Sequence, residues 1–299
     1  MFHGLSAFPL TPMSEVGINE KEYELLIQRL VSAGVDSIGA LGSTGNYAYL
    51  SRIERYRVLK IAVDTAEGIP VMASISAIRT LDVLRLAEDA QKAGASAVLL
   101  APVSYQALTN EEVYLLYEQV TQSLSVPLCV YDNPSTTHFH FSDELHGRIA
   151  ELPHVRSIKI PGVPSDPEAA KQRVSSLRSL IPPSVKIGVS GDPFAFTGLN
   201  ASCEAWYSVL GGLFPKTCLR MTRLSLNGHA DEAERISARL EPVWSLFRQY
   251  GSLRVASAVA EISGLVSSPS LPLPLLPLDL SAREQLKSIL ADIQTMEGS

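Results

Sequence analysis

Apolar residues along this chain gather in short runs, and between the runs they recur every three or four positions. The runs read as buried strands and the recurring stretches as amphipathic helices. Residues 4–10 are a first strand, ended by Pro12. Asn19 can cap a helix reaching residues 30–33, with Tyr23, Leu26, Ile27 and Leu30 on one stripe and Gly34 as its stop. Residues 37–41 read as a second strand, with Gly42-Ser43-Thr44-Gly45 as the loop above it. Ser51 caps the next helix, and Glu54 completes a capping box. Residues 70–75 form a third strand, Thr80 opens a helix that stops at Gly94, and residues 97–101 form a fourth strand. Thr109 starts a helix, residues 127–131 are a fifth strand, and Ser142 caps a short helix. Val155-Arg156-Ser157-Ile158-Lys159-Ile160, closed by Pro161-Gly162, is the sixth strand. Residues 168–180 are helical, residues 185–189 and 205–209 are the last two strands, and Pro215 suits the first turn of a helix.

The join between helix and strand recurs. Ala33-Gly34-Val35-Asp36-Ser37-Ile38 matches Ala93-Gly94-Ala95-Ser96-Ala97-Val98. Eight short apolar strands alternating with helices predict a parallel sheet covered on both faces, and eight units favour a closed (β/α)8 barrel over a doubly wound open sheet. Strand signals stop near residue 227. Residues 231–247, 253–262 and 281–296 read as helices. The expected division is a barrel over 1–227 and a C-terminal three-helix segment over 228–299, with the proline-rich stretch 268–277 as a stiff, extended connector.

The chain has 299 residues, 46% hydrophobic and 19% charged, enough for one large core. A net charge of -6 argues against nucleic acid or an anionic membrane as partner. Cys129, Cys203 and Cys218 form no paired framework and read as small buried hydrophobes in a reducing compartment. The N-terminus shows no basic region followed by an apolar stretch, and no apolar run is long enough to span a bilayer, so a cytoplasmic, soluble protein is expected.

Candidate chemistry lies where such barrels hold it, at the C-terminal ends of strands. Strand side chains alternate, so Val155, Ser157 and Lys159 share one face and Arg156, Ile158 and Ile160 the other. With the isoleucines packed outward, Lys159 points into the sheet's middle. There an amine loses water, its pKa falls, and it can attack a carbonyl. Taken alone, a lysine snorkelling from a strand end is the plainer reading. The fifth strand ends in Tyr131-Asp132-Asn133-Pro134, next to the sixth, so a phenol able to act as acid or base meets the amine over one cavity. The Gly42–Gly45 loop lacks the Gly-Lys-Ser/Thr ending of a nucleotide loop, but its amides and two hydroxyls can hold a carboxylate. His138-x-His140 has no third ligand in view and reads as a loop pair, and residues 52–57 read as a solvated helix face.

Four ordered motifs sharpen this. Gly42-Ser43-Thr44-Gly45, Tyr131-x-Asn133-Pro134, Ile158-Lys159 and Gly188-x-Ser190-Gly191-Asp192 resemble the pyruvate-dependent Schiff-base lyases, the family of dihydrodipicolinate synthase and N-acetylneuraminate lyase. The likeness covers essentially the whole chain. It implies that Lys159 forms an imine with pyruvate or another 2-oxo acid and that Tyr131 shuttles protons. It implies further that Ser43 and Thr44 hold the acid's carboxylate, with Thr44 hydrogen-bonded to Tyr131. Tyr105 matches a tyrosine that completes the relay in a neighbouring subunit, so a homo-oligomer, a tetramer or dimer, is implied. Gly191, Thr136 and Tyr207 fall where the family lines the substrate pocket. No metal or other cofactor is implied, because an imine is itself an electron sink.

Departures from the family pattern concern the second substrate, an aldehyde by resemblance. Asn46 stands where glutamate is usual, Thr136 where the synthase branch has arginine, and Tyr207 where a small aliphatic is expected. The last two change charge and room around that substrate. A dehydratase using the same imine on a sugar acid and a barrel that binds without turnover are the rival readings.

Overall fold

Eight short strands pair in parallel and close on themselves in the computed structural model, which describes residues 1–298. They are β1 (Gly4–Ala7), β2 (Ser37–Ala40), β3 (Val71–Ser74), β4 (Ala97–Leu100), β5 (Leu128–Tyr131), β6 (Val155–Ile160), β7 (Lys186–Val189) and β8 (Ala205–Ser208). Each pairs with its neighbour in the sequence, and β1 pairs with both β2 and β8. The expected (β/α)8 barrel is therefore what forms, and the open sheet is not.

The helices follow from their stripes and caps. They are α1 (Glu20–Ala33), α2 (Arg52–Thr65), α3 (Thr80–Ala93), α4 (Asn110–Thr121), α5 (Asp143–Ala150), α6 (Pro167–Leu180), α7 (Ala195–Asn200) and α8 (Pro215–Leu226). Asn19 and Ser142 accept from backbone amides of α1 and α5, and the Ser51–Glu54 capping box is present. Gly34 and Gly94 end their helices at φ 72° and 93°, where a side chain would be strained. Strands come out shorter than their apolar runs; Leu41, at φ 59°, turns the chain away from β2 toward the Ser43–Thr44 loop.

Three expectations need correction. Val155 was placed with Ser157 and Lys159, but it packs in the apolar layer shared with the helices. The β5–β6 register shifts between Leu128, paired with Val155, and Cys129, paired with Ser157, so alternation breaks at Arg156. The connector over 268–277 is anchored rather than extended. The buried Glu261 carboxylate accepts from Ser268 Oγ (2.9 Å), Ser270 N (3.0 Å), Ser270 Oγ (2.9 Å) and Arg283 (2.7 Å), and Leu275 N closes a turn on Pro272 O. Arg55 is not on a solvated face. It is 6% exposed, and its guanidinium donates to Ser74 O (2.8 Å) and Ser76 O (3.0 Å) beyond β3 and lies over the Tyr47 ring. Arg52 and Arg57, on the same helix, do face solvent.

Past α8, the chain forms α9 (Ala230–Tyr250), α10 (Ser252–Ile262) and α11 (Leu280–Gly298). The far end of α11 is tied to the barrel: Glu297 accepts from Lys216 N (3.0 Å), Thr217 N (2.8 Å) and Thr217 Oγ1 (2.8 Å) at the start of α8. A carboxylate there also meets the positive end of the helix dipole. Among the described residues, no helix is long and apolar enough to cross a membrane.

Removing the Arg55 head group strands two carbonyl oxygens in a dry site. Arg55→Met should therefore lower the unfolding free energy by roughly 1–3 kcal/mol. Urea titration followed by circular dichroism checks it, and an unchanged midpoint would show that the guanidinium adds nothing.

Candidate active site

β5 and β6 bring the first two residues together. Tyr131 and Lys159 are direct register partners at the strand ends, and both side chains turn inward. Lys159 is 5% exposed, and its Nζ lies 4.2 Å from the centre of the Tyr131 ring. Two more rings surround the amine, Phe8 at 4.3 Å and Tyr207 at 5.5 Å. No hydrogen bond reaches Nζ from the described residues. Burial is the main influence and holds the amine at about 8, against weaker opposing pulls from Cys129 and Asp192. An amine so placed has a sizeable neutral fraction near neutrality, which addition to a carbonyl requires.

Tyr131 is held by its hydroxyl. Asn133 Nδ2 donates to it at 2.9 Å, and Ser43 Oγ lies 3.3 Å away. Burial raises its pKa despite those two partners, which favours the protonated phenol. The family resemblance pointed to Thr44 as the partner of Tyr131. Instead Ser43 makes that contact, and Thr44 is buried in the turn, 4% exposed. The turn is tight: a Cβ at Gly45 would lie 3.0 Å from Gly42 N, so the loop folds back on itself and presents Ser43 toward β5.

Asp192, in the fourth motif, is a structural tie. Its carboxylate accepts from Trp206 Nε1 (3.0 Å), Val209 N (3.2 Å) and Leu210 N (2.7 Å), joining the ends of β7 and β8. Burial pushes it up to about 6 even so. Gly191 adopts φ 74° at the mouth, and a Cβ there would lie 2.9 Å from Pro161 O, which restricts the position to glycine.

The outer residues are placed differently. Thr136 sits exposed on the helical turn Pro134–Thr137 after β5, with its hydroxyl 3.4 Å from Asn133 O. Tyr105 is 89% exposed on the loop after β4 and makes no hydrogen bond within the described chain. Tyr207 is the correction. It was expected to narrow the space for a second substrate, but it is 2% exposed, and its hydroxyl bonds to Ser157 Oγ (2.7 Å) and accepts from Cys129 Sγ (3.6 Å). Those partners lie two residues before Tyr131 and Lys159 on their strands, so Tyr207 forms the floor beneath Lys159. The residue that sequence reasoning missed is Phe8. The only hint of it was a lone aromatic within the first apolar run.

The dihydrodipicolinate synthetase family model matches residues 1–293 of the chain. A 4-hydroxy-tetrahydrodipicolinate synthase from Persephonella marina is 30% identical over 98% of both chains. The crystal structure of a dihydrodipicolinate synthase from Agrobacterium tumefaciens, 43% identical, superposes with a TM-score of 0.94 over 98% of each chain. A chloride-inhibited dihydrodipicolinate synthase from Acinetobacter baumannii, solved in complex with pyruvate, is 26% identical, with a TM-score of 0.89 over 98% of this chain and 99% of that one.

The amine's environment has a direct signature. Labelling of Lys159 by formaldehyde and cyanoborohydride, followed by peptide mass mapping, should rise with pH to a midpoint near 8 and then level off. A midpoint in the ordinary lysine range, about 10.4, would show that burial does not depress this amine.

Proposed function

The chain belongs to the dihydrodipicolinate synthetase family, and from that premise we propose that Lys159 carries out its Schiff-base chemistry on pyruvate, with an aldehyde as second substrate. The reading is carried by one observation: a buried amine, depressed to about 8, directly opposite a hydrogen-bonded phenol on the neighbouring strand.

The neutral Lys159 amine adds to C2 of pyruvate, and loss of water gives the imine. Tyr131 gives its proton to the departing hydroxyl, positive charge on the imine nitrogen acidifies C3, the Tyr131 phenolate takes a C3 proton, and the enamine attacks the aldehyde carbon. Tyr131 supplies a proton to the new alkoxide, and water then releases the product and restores the amine. Ser43 and Thr44 at the turn after β2 suit the acid's carboxylate, and Ser43 Oγ, 3.3 Å from the Tyr131 hydroxyl, extends the proton path. Gly191 and Thr136 border the mouth. A barrel over 1–227 that holds the chemistry, steadied by a helical segment over 228–299, belongs to the same reading. So does a homo-oligomer, in which the unpartnered Tyr105 hydroxyl reaches a neighbouring copy's Tyr131. A cytoplasmic setting fits the whole.

The second substrate is read as an aldehyde without a carboxylate, or one whose charge is met from elsewhere. Where synthases of the family carry an arginine, Thr136 offers one neutral hydroxyl, and the turn Pro134–Thr137 holds no cation. A charge-assisted pair contributes roughly 1.5–3 kcal/mol and a neutral hydroxyl contact about half as much. The difference is about tenfold in kcat/KM if felt in the transition state.

Incubation with pyruvate and borohydride should leave one reduced adduct, mapping to Lys159. Lys159→Arg should abolish it, because a guanidinium stays protonated and is not nucleophilic. An adduct on another lysine would refute the assignment. In turnover assays with pyruvate and aspartate semialdehyde, Thr136→Arg should raise kcat/KM by about tenfold, and efficient use of the semialdehyde by the wild type, unchanged in Thr136→Ala, would remove the case from Thr136. In the same assays Tyr105→Phe should lower kcat by about a hundredfold or more while leaving the Lys159 adduct intact. Unchanged turnover would take Tyr105 out of the relay.

A further inference from the structure

We propose that Phe8 is a specificity-determining residue, the floor that restricts the 2-oxo acid to one with an unsubstituted C3. The inference rests on the imine reading of Lys159.

Phe8 follows β1, is 3% exposed, and packs inside the barrel. Two glycines make its niche. A Cβ at Gly39 would lie 2.3 Å from the Phe8 ring, and one at Gly42 would lie 2.5 Å from it. The ring is thus wedged beneath the turn that carries Ser43 and Thr44. It also meets the Tyr207 ring edge-on, with centroids 6.0 Å apart, and Tyr207 is fixed in turn by Ser157. Phe8 has no room to withdraw. Its ring centre stands 4.3 Å from Lys159 Nζ, with the Tyr131 ring at 4.2 Å.

A 2-oxo acid joined to Nζ at C2 and anchored by its carboxylate at the turn must lie across the Phe8 ring. C3 is two bonds from Nζ. A methyl there has only hydrogens to accommodate and can face the mouth, where the aldehyde arrives. A further carbon on C3 must go toward the mouth, where it blocks that approach, or down into a rigid ring.

The test is borohydride trapping with pyruvate and with 2-oxobutyrate, scored as the ratio of initial adduct rates at Lys159 in the wild type, Phe8→Leu and Phe8→Ala. The wild type should favour pyruvate by about tenfold or more, the discrimination one methylene commands in a closed apolar pocket. Phe8→Ala should bring the ratio within about threefold of unity, and Phe8→Leu should move it part of the way. Pyruvate trapping in each variant reports that the fold is retained; Phe8→Leu carries the test if Phe8→Ala does not fold. Wild type that traps both acids equally, or a ratio that neither variant moves, overturns the floor while leaving the imine intact. No wild-type adduct with either acid overturns the imine reading, and the floor falls with it.

Discussion

Everything at the mouth of this barrel follows from burying one amine without a counter-ion. A lysine ammonium taken from water into a low-dielectric interior is disfavoured by several kcal/mol unless paired. Among the described residues, Lys159 has no pairing carboxylate. Its carboxylate neighbour, Asp192, is engaged by three N–H donors from β8 and the residues after it, and acts on the amine only as a weak distant pull. The amine instead lies among aromatic rings. Their faces attract the charged form modestly, while their bulk excludes water. Desolvation wins, and the amine settles near 8 rather than in the ordinary lysine range.

Such an arrangement demands space inside a closed eight-stranded barrel, whose interior is normally filled by layers of side chains. Glycines provide it. Gly39 and Gly42 accommodate Phe8, and Gly188, the register partner of Lys159 on β7, leaves room for Tyr207: a Cβ there would lie 2.2 Å from the Tyr207 ring. Each glycine faces an aromatic, so ring and gap act as one packing unit. Below them the Tyr207 hydroxyl closes on Ser157, the inward residue preceding Lys159 on β6. The floor and the lysine are thereby fixed to the same strand. A site built this way is preorganised by core packing, while the loops supply only its polar edge.

Strand order, the inward aim of Lys159 and its pairing with Tyr131 were legible because period-two alternation and a sequential parallel sheet determine them. Capping signals at Asn19, Ser51 and Ser142 were legible because the residue and its partner are three positions apart. What failed involved contacts between distant residues. Val155 was misplaced by a register irregularity that depends on the facing strand, not on its own sequence. Arg55 looked like any exposed helix arginine, since its acceptors, Ser74 O and Ser76 O, belong to another unit. The Gly39–Phe8 fit was hidden because each residue is unremarkable alone. The α7 helix, six residues long, is too short to show a stripe.

One asymmetry in the site bears on how it works. The inner part of the site is finished within the chain: Lys159, Tyr131, Phe8 and Tyr207 are buried and packed around one another. The outer part is sparse, with Thr136, Gly191 and Tyr105 exposed. Imine formation requires the amine to be neutral, so a dry, closed pocket must exist before the first substrate arrives. Attack on the aldehyde requires only that the enamine be reachable and that a proton be at hand. Rigidity therefore belongs beneath Lys159 and openness above it. On the proposed reading, changes at the rim, where Thr136 stands, alter which aldehyde is taken without disturbing the amine, whereas changes at the floor reach the first substrate.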